Sequence, residues 1–208
     1  MHQYILQEDK ELIESRLKTF ERNTGCELLL ILAGSSDQYP GASWRFGILS
    51  GFIITFIFSL FFEFAHSYIW PVATLIITLF MTWIGHFNWA KKFALSEMEV
   101  ERETYEKALE YFHTLGTSKV SHKVTAMIMV SLLERKIMVL VDEELRSKIT
   151  QPELDELITI MRKHFKENHM ALGFIESIAS LEEKILNDFG GKVSDANPSE
   201  LKDTLHFL

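Results

Sequence analysis

Two apolar runs, FGILSGFIITFIFSLFFEFA at 46–65 and IWPVATLIITLFMTWIGHFN at 69–88, decide how the rest of this chain is interpreted. At about 1.5 Å per residue, a helix of this length spans roughly 30 Å, the thickness of the bilayer hydrocarbon. We therefore predict a two-helix transmembrane hairpin over 46–88. The alternative is a buried hairpin in a soluble all-α protein, but runs that are apolar on every face for this length argue against it.

The residues around the hairpin predict its orientation. Aromatic side chains that favour the membrane interface stand near the helix ends: Trp44, Tyr68, Trp70 and Trp89. Basic residues flank the hairpin and are missing from its connecting loop: Arg45, Lys91 and Lys92. By the positive-inside rule we expect a protein of the inner (plasma) membrane with both termini in the cytoplasm. The first 45 residues lack a basic start followed by an apolar run, so we expect no cleavable signal peptide.

Three residues within the hairpin have a further interpretation. Gly47 and Gly51 are four residues apart, a small-xxx-small spacing that allows close helix contact and would permit a homodimer. The alternative is that glycine is simply common in membrane helices. Glu63 lies near the end of the first helix, where we expect it to reach the interface rather than to form a buried functional carboxylate.

The polar sequence on either side of the hairpin predicts the remaining elements. Before it we expect a helix over 9–23, stopped by Gly25, a buried strand over 26–33 and a loop over 34–43. After it we expect the second membrane helix to continue, straight or with a small bend, as an amphipathic helix up to Gly116. Two apolar runs at 124–132 and 135–141 predict an antiparallel β-hairpin. Two amphipathic helices follow, one opening at Pro152 and one ending before Gly190.

The helix and strand before residue 45 cannot bury their own apolar faces, and neither can the β-hairpin after residue 123. Together they predict one α/β domain, with helices in layers on both sides of a small mixed sheet. We therefore expect 1–45 and 89–191 to form a three-layer α/β/α domain interrupted by the hairpin at 46–88, and 192–208 to be a loosely docked tail.

Composition excludes some classes of protein. The 208 residues carry a net charge of −8, so no basic surface for nucleic acid is expected. The single cysteine, Cys26, cannot form an internal disulfide, and in a buried strand we expect a core residue rather than a nucleophile.

Several short motifs resemble TPM-domain proteins, most closely a bacterial group with a transmembrane pair inside the domain. They are ERNTGCELLLILA at 21–33, Ser-Asp-x-Tyr-Pro at 36–40, FHTLG at 112–116, SLLERKIMVLVDEE at 131–144 and NPSEL at 197–201. The resemblance implies an α/β/α fold with a small mixed sheet. It also implies an association with phosphatase activity, with calcium binding or with the maintenance of membrane protein complexes.

Acidic residues at two strand ends are the candidate metal ligands. Asp142 and Glu143 close the last strand, beside Glu144, and Asp37 follows the first strand. Carboxylates suit calcium or magnesium. However, parallel first and second strands with an antiparallel third would put Asp142 and Asp37 at opposite ends of the sheet. The alternative for Asp142 is a solvated strand end that also caps the next helix. His164 and His169, five apart across a predicted helix break, lack the i, i+4 spacing of a helical metal pair.

No catalytic signature is present in the sequence: it has no Gly-rich phosphate loop, no G-x-S-x-G and no H-E-x-x-H. We therefore favour a membrane-anchored interaction or maintenance module for membrane proteins, facing the cytoplasm. The alternative is a metal-dependent phosphatase-like hydrolase, so the sequence leaves open whether the protein is an enzyme.

Overall fold

A computed structural model describes residues 6–62, 68–117, 124–191 and 205–207. Its elements are α1 (Gln7–Thr24), β1 (Glu27–Ala33), α2 (Pro40–Phe61), α3 (Ile69–Ile84), α4 (Asn88–Ala94), α5 (Glu97–Tyr111), a π-helical segment (Phe112–Thr117), β2 (Thr125–Ser131), β3 (Lys136–Val141), α6 (Glu143–Arg146), α7 (Gln151–Lys166), α8 (Met170–Phe189) and β4 (His206–Phe207). They form two compact units. Unit 1 comprises 1–36 and 103–208, and unit 2 comprises 37–102.

The sheet of unit 1 has the strand order β3-β2-β1-β4. β1 pairs in parallel with β2, from Glu27 opposite Thr125 to Ala33 opposite Ser131. β3 runs back antiparallel to β2, which confirms the predicted β-hairpin. The short strand β4 adds to the other side of β1 in parallel. The sheet is therefore mixed, as predicted, but β4 was not predicted, because the sequence analysis placed these residues in a loosely docked tail.

Both faces of the sheet are covered, because alternate residues of each strand point to opposite sides. On one face, Leu28, Leu30 and Leu32 of β1 share an apolar core with residues of α1, α7 and α8. On the other face, Leu29 and Ile31 belong to a smaller core closed by α5 and the π-helical segment. Every residue of β1 and of β2 is buried as a result. The three-layer α/β/α arrangement expected from the sequence is present in unit 1.

The helix ends of unit 1 follow from the local sequence. Gly25 ends α1 with φ of 73° and donates its backbone N–H to Glu21, and Gly190 ends α8 with φ of 66°. α7 opens with a capping box, in which Glu153 accepts hydrogen bonds from the backbone N–H and the hydroxyl of Thr150 at 2.7 and 2.6 Å. These hydrogen bonds hold the pKa of the Glu153 carboxyl below its usual value.

Unit 2 contains an antiparallel helical hairpin. The hydroxyl of Ser43 donates to the carbonyl of Gly85 over 2.9 Å. A Cβ built on Gly47 would lie 2.7 Å from the backbone of Thr82, and one built on Gly51 would lie 2.8 Å from that of Thr78. The contact positions rise from 47 to 51 on α2 while they fall from 82 to 78 on α3, so the two helices pack antiparallel. Both glycines contact α3 of the same chain, so this surface is already covered within the hairpin. The homodimer predicted through the two glycines stays untested.

The segment after α3 differs from the prediction. We expected the second apolar helix to continue into the amphipathic helix, straight or with a small bend. Instead α3 ends at Ile84, with Gly85 as its C-cap, and α4 leaves at an angle of 110°. Phe87 is extended, and Leu95 is extended again before α5 begins. The sequence contains no proline here, so its pattern did not reveal the break.

Other boundaries differ by smaller amounts. α2 begins at Pro40, six residues before the predicted start, because proline fits the first turn of a helix. α3 ends at Ile84, four residues early. The described residues leave out Glu63, residues 118–123 and residues 192–204, which include the motif at 197–201.

All four tryptophans of the chain lie in unit 2: Trp44, Trp70, Trp83 and Trp89. Trp89 of α4 contacts the ring of Phe46 on α2 edge-to-face, with ring centroids 6.0 Å apart. This contact anchors the turned-away helix α4 to the hairpin.

We predict that Gly47→Ala destabilises the α2–α3 hairpin, because the added methyl would meet the Thr82 backbone at a distance that real Cβ atoms do not reach. Overpacking of this kind costs about 1–3 kcal/mol. Thermal unfolding followed by tryptophan fluorescence would measure the loss. Gly41→Ala is the matched control, since the nearest atom to its added methyl is 4.0 Å away on a flexible arginine. Equal stability of the two variants would contradict this account of the helix contact.

Candidate functional site

Carboxylates gather at the edge of the sheet where β1 and β2 begin and β3 ends. Glu27 of β1 is opposite Thr125 of β2, and Ala126 is opposite Val141, the last residue of β3. Asp142 follows directly, and α6 opens with Glu143 and Glu144. This acidic edge, defined by Glu27, Asp142, Glu143 and Glu144, is the candidate functional site of unit 1.

Asp142 uses both carboxylate oxygens to join two elements. Its Oδ1 accepts the backbone N–H of Leu145 over 3.0 Å and so caps α6. Its Oδ2 accepts the backbone N–H of Thr125 over 2.8 Å, at the first residue of β2. The capping role foreseen as the alternative for Asp142 is therefore present. Each oxygen keeps a second lone pair, so these hydrogen bonds leave room for cation binding.

Cys26, just before β1, reports on the charge of this edge. Burial raises the pKa of its thiol to about 12, and the negative charges of Asp142, Glu144 and Glu27 add to the effect, while a hydrogen bond with Thr24 opposes it. A thiol with this pKa stays protonated at neutral pH and is a poor nucleophile. Cys26 is thus a core residue, and three carboxylates lie near enough to act on it.

Glu27 is the member of the acidic edge that sequence reasoning missed. It is 2% exposed, although it carries a carboxyl group, because it is the first residue of a strand buried on both faces. A glutamate at the start of an otherwise apolar run, CELLLILA, was the available signal. Glu27 joins the acidic edge only because β1 pairs with β2 in this register, and no local sequence pattern predicts that register.

The other predicted ligands are placed differently. Glu143 is exposed on the first turn of α6. Asp37 belongs to unit 2, where its Oδ2 accepts the backbone N–H of Tyr39 over 2.9 Å. It follows the end of β1, whereas Asp142 follows β3 at the edge where β1 begins. The metal-binding roles predicted for Asp37, Asp142 and Glu143 stay predictions.

At the opposite edge, where β1 and β2 end, the polar side chains hydrogen-bond to one another or to the backbone. Oε1 of Glu134 accepts the backbone N–H of Ser36 over 2.9 Å, and its Oε2 accepts the hydroxyl of Ser131. The hydroxyl of Ser36 donates to Thr104 on α5 over 3.3 Å. Ser36, Ser131 and Thr104 are all buried. These groups hold the β2–β3 turn against the end of β1, and their burial keeps the hydroxyls away from any substrate.

The fold of unit 1 is a mixed four-stranded sheet between helical layers, with carboxylates at one edge. Residues 95–184 match the family model of the TPM domain. The whole chain also superposes on the NMR structure of the BA42 protein from the psychrophilic bacterium Bizionia argentinensis, with a TM-score of 0.59 and 12% sequence identity, over 100% of this chain and 97% of that one. No curated protein matches the chain. The matched residues and the similar fold support a TPM-domain family protein, as the sequence motifs predicted.

We predict that Asp142→Ala lowers the free energy of unfolding by about 1–2 kcal/mol, because it removes a helix cap and leaves the Thr125 N–H without this acceptor. Glu143→Ala, on the exposed neighbour, is the control and should change it by less than about 0.5 kcal/mol. Urea unfolding followed by circular dichroism would measure both. If the two variants lose equal stability, the tie made by Asp142 is not the cause.

Proposed function

We propose that this protein is anchored in the inner membrane by unit 2 and that its TPM domain acts at the cytoplasmic surface as an interaction or maintenance module for membrane proteins. The observation that carries the proposal is the apolar surface of α2 and α3. Of the most apolar 18-residue window of α2, 17% is buried within the chain. A core helix of a soluble protein would be mostly buried, so this surface needs another apolar environment.

Large exposed side chains continue along both helices: Leu49, Phe52, Ile53, Phe56, Leu60, Leu75, Ile76, Leu79, Phe80 and Trp83. α2 has 22 residues, or about 33 Å of helix, enough to cross the hydrocarbon. α3 has 16 residues and forms a second span only together with the flanking sequence or with local thinning of the bilayer.

Several polar side chains of the hairpin are hydrogen-bonded within their own helices, as a lipid environment requires. Hydroxyls donate to the carbonyl one turn earlier, from Thr55 to Gly51, from Thr74 to Trp70 and from Thr82 to Thr78, at 2.8–2.9 Å. The ring Nδ1 of His86 pairs in the same way with the carbonyl of Thr82. Groups bonded like this can enter hydrocarbon at low cost, whereas unsatisfied ones cannot.

The ends of the hairpin also support anchoring. The pairing of Ser43 with Gly85 puts the start of α2 and the end of α3 side by side, with Arg45, Lys91 and Lys92 nearby in sequence. Trp89 and Phe93 are exposed on α4 while Ala90 between them is buried, the pattern of a helix lying in the interface. In sequence these basic residues lie near both connections to unit 1, which favours a cytoplasmic TPM domain.

The acidic edge would supply a cation site within the module. Carboxylate oxygens are hard ligands that favour calcium or magnesium, and the proposed ligands are Asp142 with Glu143 and the neighbouring Glu27 and Glu144. The same ion would serve the alternative, a phosphatase-like hydrolase. Phosphate-ester turnover by the purified protein that is lost in Asp142→Ala and kept in Asp155→Ala, at an exposed carboxylate on α7, would favour the hydrolase over the interaction module.

Membrane anchoring predicts that Ile53→Asp impairs insertion. Ile53 is 58% exposed on α2, and a carboxylate near the centre of a span costs about 3 kcal/mol. In carbonate-washed membranes from expressing cells we expect wild-type protein in the pellet and a large fraction of the variant in the supernatant. Leu12→Asp, at an equally exposed apolar position in unit 1, is the control and should remain in the pellet. Extraction of wild-type protein by carbonate would refute anchoring.

The interaction role predicts crosslinks from the surface of unit 1. Leu172 on α8 is a large apolar side chain left exposed, a suitable position for a photoreactive amino acid. Illumination in cells should give a reproducible product with another membrane protein, and the Ile53→Asp background should abolish it. A photoreactive group at Phe174, which is fully buried, is the control. No product from Leu172 or from other exposed positions of unit 1 would count against an interaction module.

A further inference from the structure

Two histidines and a glutamate converge where α7 turns into α8. His164 lies on the last turn of α7, and Glu167, Asn168 and His169 form the connection. Asn168 adopts a left-handed conformation with φ of 62°, which reverses the chain. As a result one ring nitrogen of each histidine and one carboxylate oxygen of Glu167 all lie within 4.8 Å of one another. The sequence spacing of five hides this convergence, since it is the spacing of neither a helix face nor a strand.

Hydrogen bonding within the chain uses one ring nitrogen of His164 and leaves the other available as a ligand. Its side chain is 13% exposed, and its Nε2 pairs with Oε2 of Glu176 over 2.7 Å. Its Nδ1 is buried and has no hydrogen-bond partner among the described residues. When Nε2 carries the proton and donates to Glu176, Nδ1 presents a lone pair. A carboxylate behind a histidine in this way fixes the ring and strengthens it as a ligand.

The other two ligands can adjust. Glu167 and His169 are both exposed, and His169 Nδ1 lies 3.9 Å from Glu167 Oε2. Zinc lies about 2.0–2.2 Å from each nitrogen or oxygen ligand. The three ligand atoms, which now lie within 4.8 Å of one another, must therefore move somewhat closer together to bind it. Exposed side chains reach such positions by small rotations, whereas the half-buried ring of His164 is held by its hydrogen bond with Glu176.

We propose that His164, Glu167 and His169 bind a divalent transition-metal ion, for which zinc is the best match. Two imidazoles and one carboxylate are ligands typical of zinc, with water in the fourth position, and they do not suit calcium or magnesium. The site is separate from the acidic edge and independent of the function proposed above. An ion here would fasten the end of α7 to the start of α8, so its binding would stabilise unit 1.

The test is a calorimetric zinc titration of the full-length, detergent-solubilised protein without a histidine tag. We expect saturable 1:1 binding and a higher unfolding temperature with zinc. His169→Ala, an exposed position whose loss should not disturb folding, should weaken binding at least tenfold and abolish the thermal shift. His113→Ala, an exposed histidine elsewhere in unit 1, is the control and should bind as the wild type does.

A competition experiment sharpens the result. Millimolar calcium or magnesium should not displace the zinc. Absence of 1:1 binding in the wild type, or equal zinc affinity in the wild type and in His169→Ala, would overturn the proposal.

Discussion

The parallel pairing of β1 with β2 is the constraint on which the rest of the structure depends. β1 is buried along its whole length, so its backbone N–H and carbonyl groups need a neighbouring strand, and β2 supplies it. Residues 34–124 separate the two strands in sequence, and a parallel pair requires such a crossover. In most α/β proteins this connection is a single helix. Here the connection contains unit 2 and then α5, so the apolar hairpin lies in sequence between the two central strands of the sheet.

Much of unit 1 could be predicted because its signals are local. Gly25 marked the end of α1, the run CELLLILA marked a strand covered on both faces, and Pro152 marked the start of α7. Each signal acts within a few residues, through backbone conformation or burial. The parallel arrangement of β1 and β2 and the returning β3 also followed, since a crossover and a short turn leave little choice of direction.

What escaped prediction depends on contacts between distant residues. β4 is two residues long and is a strand only because β1 offers an edge to it. Glu27 joins the acidic edge through a register set by Thr125, almost a hundred residues later. The approach of His164 to His169 requires a left-handed Asn168, which a helical periodicity cannot represent. The 110° turn after α3 likewise has no proline to announce it. The candidate site was thus only partly visible in the sequence, through Asp142 and Glu143.

Because all four tryptophans lie in unit 2, the tryptophan fluorescence of this protein reports on that unit alone. Tryptophan emission, the usual probe of unfolding, originates entirely in residues 37–102 and carries no direct signal from unit 1. Far-ultraviolet circular dichroism, by contrast, sums the helices of both units. If the two units melt at different temperatures, the two probes give different midpoints, and a single fitted transition would have no physical meaning. The natural chain therefore carries its tryptophan reporters in unit 2 alone, and the unfolding of that unit can be followed without any substitution.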